Sequence, residues 1–449
     1  MRVAVVGGGI AGLAAAWEWR SQAEVTVFEP DRLGGRILTT EFNGRPVDEG
    51  PDAFLTRVPG AVALCEELGL TDELVAPAVG GSAIWASGRL HPLPEGLVLG
   101  VPKQLGGLLR SRILSPVGVA RAGLDLLLPR RRPPAGLTVR QLVADRFGTE
   151  VADRLVDPLV GGIHAGWTGA LGASEVTPQL VAVAEKSRSL LLGLRHAASG
   201  ESGPMFLTPR AGLGRMVEVL VDALGQVGVR FVAETVLAVR RGPGDSAFVD
   251  PDPDPFDAVV IATPAAVAAR VIGAGAAAEG LGKVQTASVA LLTAALTGDL
   301  PAGLNGFLVP RAEGRLMTAC SFGSNKWPHW CEPGGALVRV SAGRHGQEEA
   351  LDLDDETLER RLLGELEQAL GRSLSVEATR VSRWPGAFPQ YLPGHAKLVT
   401  TIEDSLKADL PRVVLAGSSY RGSGIPACIT SGRRAAALAL PRSESAERA

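Results

Sequence analysis

Among 449 residues there are only four cysteines and six histidines, and 45 basic side chains stand against 48 acidic ones. Each scarcity narrows what the chain can do. Cys65, Cys320, Cys331 and Cys428 form no C-x-x-C pair, which leaves no disulfide framework or redox dithiol and reads as reduced, buried thiols of a cytoplasmic protein. His329 lies near Cys331, but no second such pair follows, so no metal is expected. A net charge of −3 sets up no field that would gather nucleic acid. No segment offers the ~18 uninterrupted apolar residues of a membrane span. The Ala/Val-rich run after Asp257 is broken by Pro264, Arg270 and Glu279, and the run Val3 to Trp17 is too rich in glycine for a signal peptide.

What remains is a globular composition, 46% hydrophobic and 21% charged, on a chain long enough for two or three domains. It opens with RVAVV, a β-branched run suited to a buried parallel strand, followed at once by GGGIAG. Gly7 permits the turn, Gly9 lets backbone approach a pyrophosphate, and Gly12 allows the next helix to pack close; Gly8, Ile10 and Ala11 complete the loop. The helix N-terminus then favours the anion. A second strand, Glu24 to Phe28, leads to Glu29, whose carboxylate suits a ribose diol and argues against a 2′-phosphate. These features predict a dinucleotide site and leave FAD and NAD equally open.

Near the end, PRVVLAGSSYRGSGIPACITSGRRAA gives a buried strand, a glycine-rich turn and a helix, a second anion-friendly N-terminus. A plain strand-turn-helix crossover explains this pattern equally well. Between the two ends, residues 81 to 204 read mainly as helices, with amphipathic stretches at Leu105 to Leu114 and Val117 to Leu128. Arg130, Arg131 and Arg132 end one of them, as cations at a helix C-terminus or as a site for anionic lipid or substrate carboxylates. GPGDSAF and DPDPDPF read as hairpin loops; alternating prolines argue against a metal site at Asp250, Asp252 and Asp254.

The segment DRLGGRILT followed by GRPVDEGPDAF resembles the second FAD contact region of the flavin amine oxidase superfamily, which decides for FAD. DPLVGGIHAGW, GFLVPR, SNKWP, RWPGAFPQYLPGH and the terminal stretch together resemble, in order, the oxygen-dependent protoporphyrinogen and coproporphyrinogen III oxidases. The resemblance implies an α/β fold, a Rossmann-like FAD-binding domain with inserted helical and mixed substrate domains. Its expected pieces are FAD-binding segments 1–80, 205–264 and 384–449 (the last with a polar tail that frays), a mainly helical domain 81–204 and a substrate domain 265–383. It implies cofactor contacts at Gly7 to Gly12, Glu29, Arg36, Gly50, Pro51, Asp52, Ala53, Val236, Trp384, Ser418, Ser423, Gly424 and Ile425, and a substrate cavity lined by His164 and Gly166.

The implied reaction is oxidation of coproporphyrinogen III to coproporphyrin III in haem biosynthesis, with O2 as acceptor and H2O2 released. Protoporphyrinogen IX is the alternative substrate, and the next haem-pathway enzyme is a candidate transient partner. No catalytic side chain is named, and no arginine is singled out for the substrate's propionates; Lys103, Arg110 and Arg112 lie in a weakly matched region. Family members often carry an acid where this chain has Trp167, which leaves that position without an assigned role. Two readings stay open beside this one: an oxidase or desaturase acting on an amine or a carotenoid, and a regulatory protein that holds the nucleotide without turnover.

Overall fold

The computed structural model describes residues 1–196, 203–331 and 335–439, so the polar tail from Arg442 lies outside the described residues. At its centre is a five-stranded parallel sheet ordered Arg230–Val232, Glu24–Phe28, Arg2–Val6, Ala258–Ile261 and Val413–Leu415. Segments far apart in sequence thus share one sheet: 1–80 and 205–264 give two strands each, and 384–449 gives the edge strand.

Both faces of this sheet are covered, which is why its strands are continuous apolar runs rather than alternating ones. Val3, Val5, Val25 and Val27 point into a core shared with helices Ile10–Trp19, Gly214–Gln226 and Ile425–Ala439. Ala4, Val6, Phe28 and Ile261 point the other way, against Ala265–Ile272, Ala276–Gly282 and His395–Asp409. The two-residue period of a strand distributes one short run between two cores.

A second sheet has seven strands, ordered Ser375–Pro389, Thr286–Thr297, Ala336–Ala342, Met317–Phe322, Leu304–Leu308, Gly81–Ala86 and Arg89–Pro92. Helix Asp355–Leu370 covers one face through Leu358, Leu362 and Leu366, spaced four apart. Asp354 caps that helix, its carboxylate accepting from the Thr357 N–H at 2.8 Å.

Two segment limits differ from the sequence reading. Residues 81–92 open the expected helical piece as a β-hairpin of the seven-stranded sheet, turning at Ser87 and Gly88, both with positive φ. The limit at 383/384 falls inside the continuous strand Ser375–Pro389, so Trp384 is delivered by a strand rooted in the substrate-side sheet. Local pattern marks where strands lie but not which sheet recruits them.

The helical segment packs a third core around Leu142, Phe147 and Leu155, tied by the buried Asp125, which accepts from Arg146, Ser189 and the Leu191 N–H. Between Ala152 and Gly161 the helix widens to π geometry around Pro158, which has no N–H to donate.

Candidate active site

The strand Arg2–Val6 ends at Gly7, whose φ of +106° is open to glycine, and its N–H donates to Phe28 at 2.9 Å. A Cβ on Gly12 would stand 2.0 Å from the Gly7 carbonyl oxygen, so turn and helix close only with glycine there. Above Gly9 the space is empty, with no protein atom nearer than 4.0 Å to a Cβ. Glu29 holds the loop from the next strand: one carboxylate oxygen accepts from the Gly8 N–H at 2.8 Å and the other from Asp31 at 3.2 Å. Ile10 and Ala11 are buried in the helix below, and Val236 is buried in the same core as Val6 and Phe28.

The turn at Gly34 and Gly35 lies against this loop, Gly34 donating to the Gly8 carbonyl at 2.8 Å. Arg36 then reaches the other end of the chain. Its Nη1 lies 3.3 Å from Ser418 Oγ, and Nη2 donates to the Gly386 carbonyl at 2.9 Å. Burial lowers its pKa.

Gly50 is pressed between strands: a Cβ there would lie 2.4 Å from the Arg36 carbonyl oxygen and 3.6 Å from the Trp384 ring. Trp384 donates its indole N–H to the Glu49 carbonyl at 2.8 Å. Pro51 is exposed, while Ala53 packs against the core of Trp327 and Trp330. Asp52 receives Lys326 Nζ at 3.0 and 2.9 Å and Trp327 Nε1 at 3.1 Å, with Arg339 at 3.7 Å. Burial pushes that carboxyl up, but Lys326 and Arg339 outweigh it and bring Asp52 down to about 2. The SNKWP motif thus pins the Gly50–Ala53 segment.

The terminal turn is held by Tyr391. Its hydroxyl donates to the Ser418 carbonyl at 2.6 Å and accepts from the Gly422 N–H at 2.7 Å. The ring stacks on His395 at 4.3 Å. Ser423 and Gly424 lead into helix Ile425–Ala439, which meets the first helix where Gly432 touches Ala11. Sequence reasoning missed Tyr391, although it lies inside a quoted motif in a chain with only two tyrosines.

His164 and Gly166 lie across from this turn. His164 is 6.4 Å from the Tyr391 ring, its carbonyl accepts from Gln390 at 2.9 Å, and its Nδ1 has no partner. Burial brings its pKa down to about 4, so the imidazole is neutral near pH 7. Gly166, not His164, lines a cavity of about 100 Å³ together with Asp157, Gly161, Val289, Ser341 and Arg344. Val289 pairs across the sheet with Trp384, so cavity and glycine cradle share a wall.

Other side chains fall elsewhere. Arg110 and Arg112 are exposed on the helical segment, and Arg130 donates to the Glu185 carbonyl. Asp252 pairs with Arg2 and Arg230 rather than with its acidic neighbours. Among the described residues no three acidic, cysteine or histidine side chains cluster as metal ligands. Three cysteines are buried as expected, but Cys331, the last residue of the short turn Pro328–Cys331, is exposed.

The cradle fits a flavin dinucleotide by this chain's own geometry: clearance at Gly9 beside a helix N-terminus, with Arg36 linking this loop's neighbour to Ser418 of the terminal turn and Trp384 packed against Gly50. Residues 10–440 match the model of a family described as flavin containing amine oxidoreductase. The chain is 31% identical over 462 residues to the coproporphyrinogen III oxidase of Bacillus subtilis, covering 98% of this chain and 97% of the relative. It is 34% identical to that of Mycobacterium bovis, covering 96% and 95%. The Arabidopsis thaliana chloroplastic protoporphyrinogen oxidase 1 is 25% identical, covering 95% of this chain and 85% of that one. A solved candidate protoporphyrinogen oxidase from Exiguobacterium sp. 255-15 superposes with a TM-score of 0.89 at 29% identity, over 97% and 98% of the two chains.

Proposed function

The chain belongs to the family of flavin-containing amine oxidoreductases, and from that premise we propose that it oxidises coproporphyrinogen III to coproporphyrin III. The observation that carries the reading is the wall shared by cradle and cavity at Val289 and Trp384, in a chain whose full-length relatives are named for this reaction. FAD, when bound, supplies the two-electron acceptor. Assigned to it are Gly7 to Gly12 at the pyrophosphate, Glu29 at a ribose, Val236 near the adenine, and Arg36, Gly50 to Ala53, Trp384, Ser418 and Ser423 to Ile425 toward the ring.

The protein's own share is orientation and exclusion of water. Trp384 packs against Val289 as an apolar wall, and Gly161, Gly162 and Gly166 keep the cavity on the Val289 side free of side chains. His164, neutral at physiological pH, adds no cation beside that cavity. The bridging carbons of a porphyrinogen lose hydride readily because the adjacent pyrroles stabilise the cation left behind, and the pyrrole N–H protons leave to water, so no side-chain nucleophile is needed. Three two-electron steps take porphyrinogen to porphyrin, with three O2 reduced to three H2O2. The reading places this chemistry in the cytoplasm; no helix among the described residues is long and apolar enough to cross a membrane.

Comparison of kcat/KM for the two porphyrinogens, without detergent and with O2 as acceptor, tests the substrate. Coproporphyrinogen III is expected to be preferred. A tenfold advantage for protoporphyrinogen IX, about 1.4 kcal/mol of transition-state preference, would overturn the assignment.

A further inference from the structure

Arg344 is 7% exposed, yet its guanidinium meets only neutral groups. Nε donates to Gln347 Oε1 at 2.8 Å, Nη1 donates to the Val309 carbonyl at 3.3 Å, and Nη2 has no partner. Burying a cation without an anion is strongly unfavourable. Burial brings its pKa down only to about 10, so the charge is kept.

Near the cavity two arginines face a single buried carboxylate. Arg311 adds a second cation, with Nη2 on the His345 carbonyl at 3.1 Å and Nε unpartnered. Asp157 faces both arginines from the π-helical wall, but one of its oxygens is already taken by the Thr168 N–H at 2.9 Å and hydroxyl at 2.6 Å. Glu349 also acts on both but is exposed, where water screens it.

The cavity that Arg344 lines has a volume of about 100 Å³; Val289, Leu291, Val309 and Phe388 make most of its side-chain wall apolar, and Asp157, Thr318 and Ser341 are its other polar residues. That is smaller than the roughly 300 Å³ at which ligand pockets begin, and it suits one arm of a ligand rather than a whole ring. A largely apolar sleeve ending in a guanidinium whose Nη2 has no hydrogen-bond partner is the complement of a carboxylate on a short aliphatic chain. We infer that Arg344, supported by Arg311, is the subsite for one propionate of the tetrapyrrole, the ring lying on the Trp384 side of Val289. This inference rests on the proposed porphyrinogen reading and adds the residue that holds the substrate's acid.

The test is binding of the product coproporphyrin III to the flavin-loaded chain, followed by fluorescence quenching, beside steady-state kinetics. Arg344→Met is expected to raise the product Kd and the substrate KM at least tenfold with kcat changed less than threefold, and with wild-type flavin content. Arg344→Gln, which keeps a polar group toward Gln347 and Val309, serves the same measurement if the methionine chain does not fold. A Kd and KM within twofold of wild type in either folded variant overturns the subsite. The parent reading fails differently: a wild-type chain that turns over neither porphyrinogen removes the substrate itself, whatever Arg344 does.

Discussion

Lys326 holds Asp52 in a two-pronged ion pair, its Nζ 3.0 and 2.9 Å from the two carboxylate oxygens, and so ties the turn after strand Met317–Phe322 to the segment that passes Trp384. Breaking a largely buried pair leaves the anion with Arg339 and Trp327 alone. Lys326→Met is therefore expected to cost about 2–3 kcal/mol of stability and to lower the flavin retained after dialysis several-fold. Denaturant melts and the ratio of visible to ultraviolet absorbance check both. A variant with wild-type flavin content would show that Gly50 to Ala53 does not need this anchor.

Two glycines of the first loop should separate folding from cofactor binding. A Cβ on Gly9 meets no protein atom nearer than 4.0 Å, whereas one on Gly12 comes within 2.0 Å of the Gly7 carbonyl oxygen. Gly9→Val is expected to give folded, colourless protein with native circular dichroism, because the added side chain occupies the space assigned to the pyrophosphate. Gly12→Val is expected to be insoluble or to lose several kcal/mol of stability, as in other overpacked cores. A fully flavin-loaded Gly9→Val chain would contradict the cradle.

Asp48 predicts a pH dependence of opposite sign to that of Asp52. Burial pushes Asp48 up to about 6, against the lowering influence of the Thr39 hydroxyl, Arg339 and the Leu213 N–H. A carboxyl with a raised folded-state pKa stabilises the fold below its unfolded value of 3.8, and that stability is lost as pH rises through 6. Asp48→Asn is expected to remove roughly 3 kcal/mol of this variation between pH 4 and 6. Unfolding free energies of both chains across that range provide the comparison; parallel curves would refute it.

The helical segment has its own polar knot. Asp125 is fully buried and accepts from Arg146 at 2.6 Å, Ser189 at 2.6 Å and the Leu191 N–H at 2.9 Å. Asp125→Ala strands a nearly buried arginine and is expected to destabilise by about 3–5 kcal/mol. Flavin absorbance per folded molecule should stay unchanged, since this knot lies away from the cradle.

The parallel flavin sheet was legible because its central strands are short apolar runs, and the loop Gly7 to Gly12 sits directly after one of them. The hairpin 81–92 was not, because GSAIWASGRLHP is equally compatible with several partners and only the seven-stranded sheet supplies one. Within the site, motif resemblance brought Arg36, Trp384 and Ser418 to one place, as the structure does. It passed over Arg339 and Arg344, which follow each other through ALVRVSAGR. A charge inside an otherwise apolar strand was the available signal for Arg339; for Arg344, just past the strand's end, the use depends on what faces it, and that is set by elements more than a hundred residues away, such as the wall containing Asp157.

The central claim is that this cradle presents a flavin directly to a porphyrinogen beside the wall formed by Val289 and Trp384. The most direct measurement is anaerobic mixing of the purified yellow protein with coproporphyrinogen III in a stopped-flow spectrophotometer. The account predicts bleaching of the flavin band with porphyrin absorbance rising in step, and return of the yellow colour with H2O2 when O2 is admitted. A flavin band that stays oxidised in the presence of excess coproporphyrinogen III, in protein that chemical reductants do bleach, would contradict it.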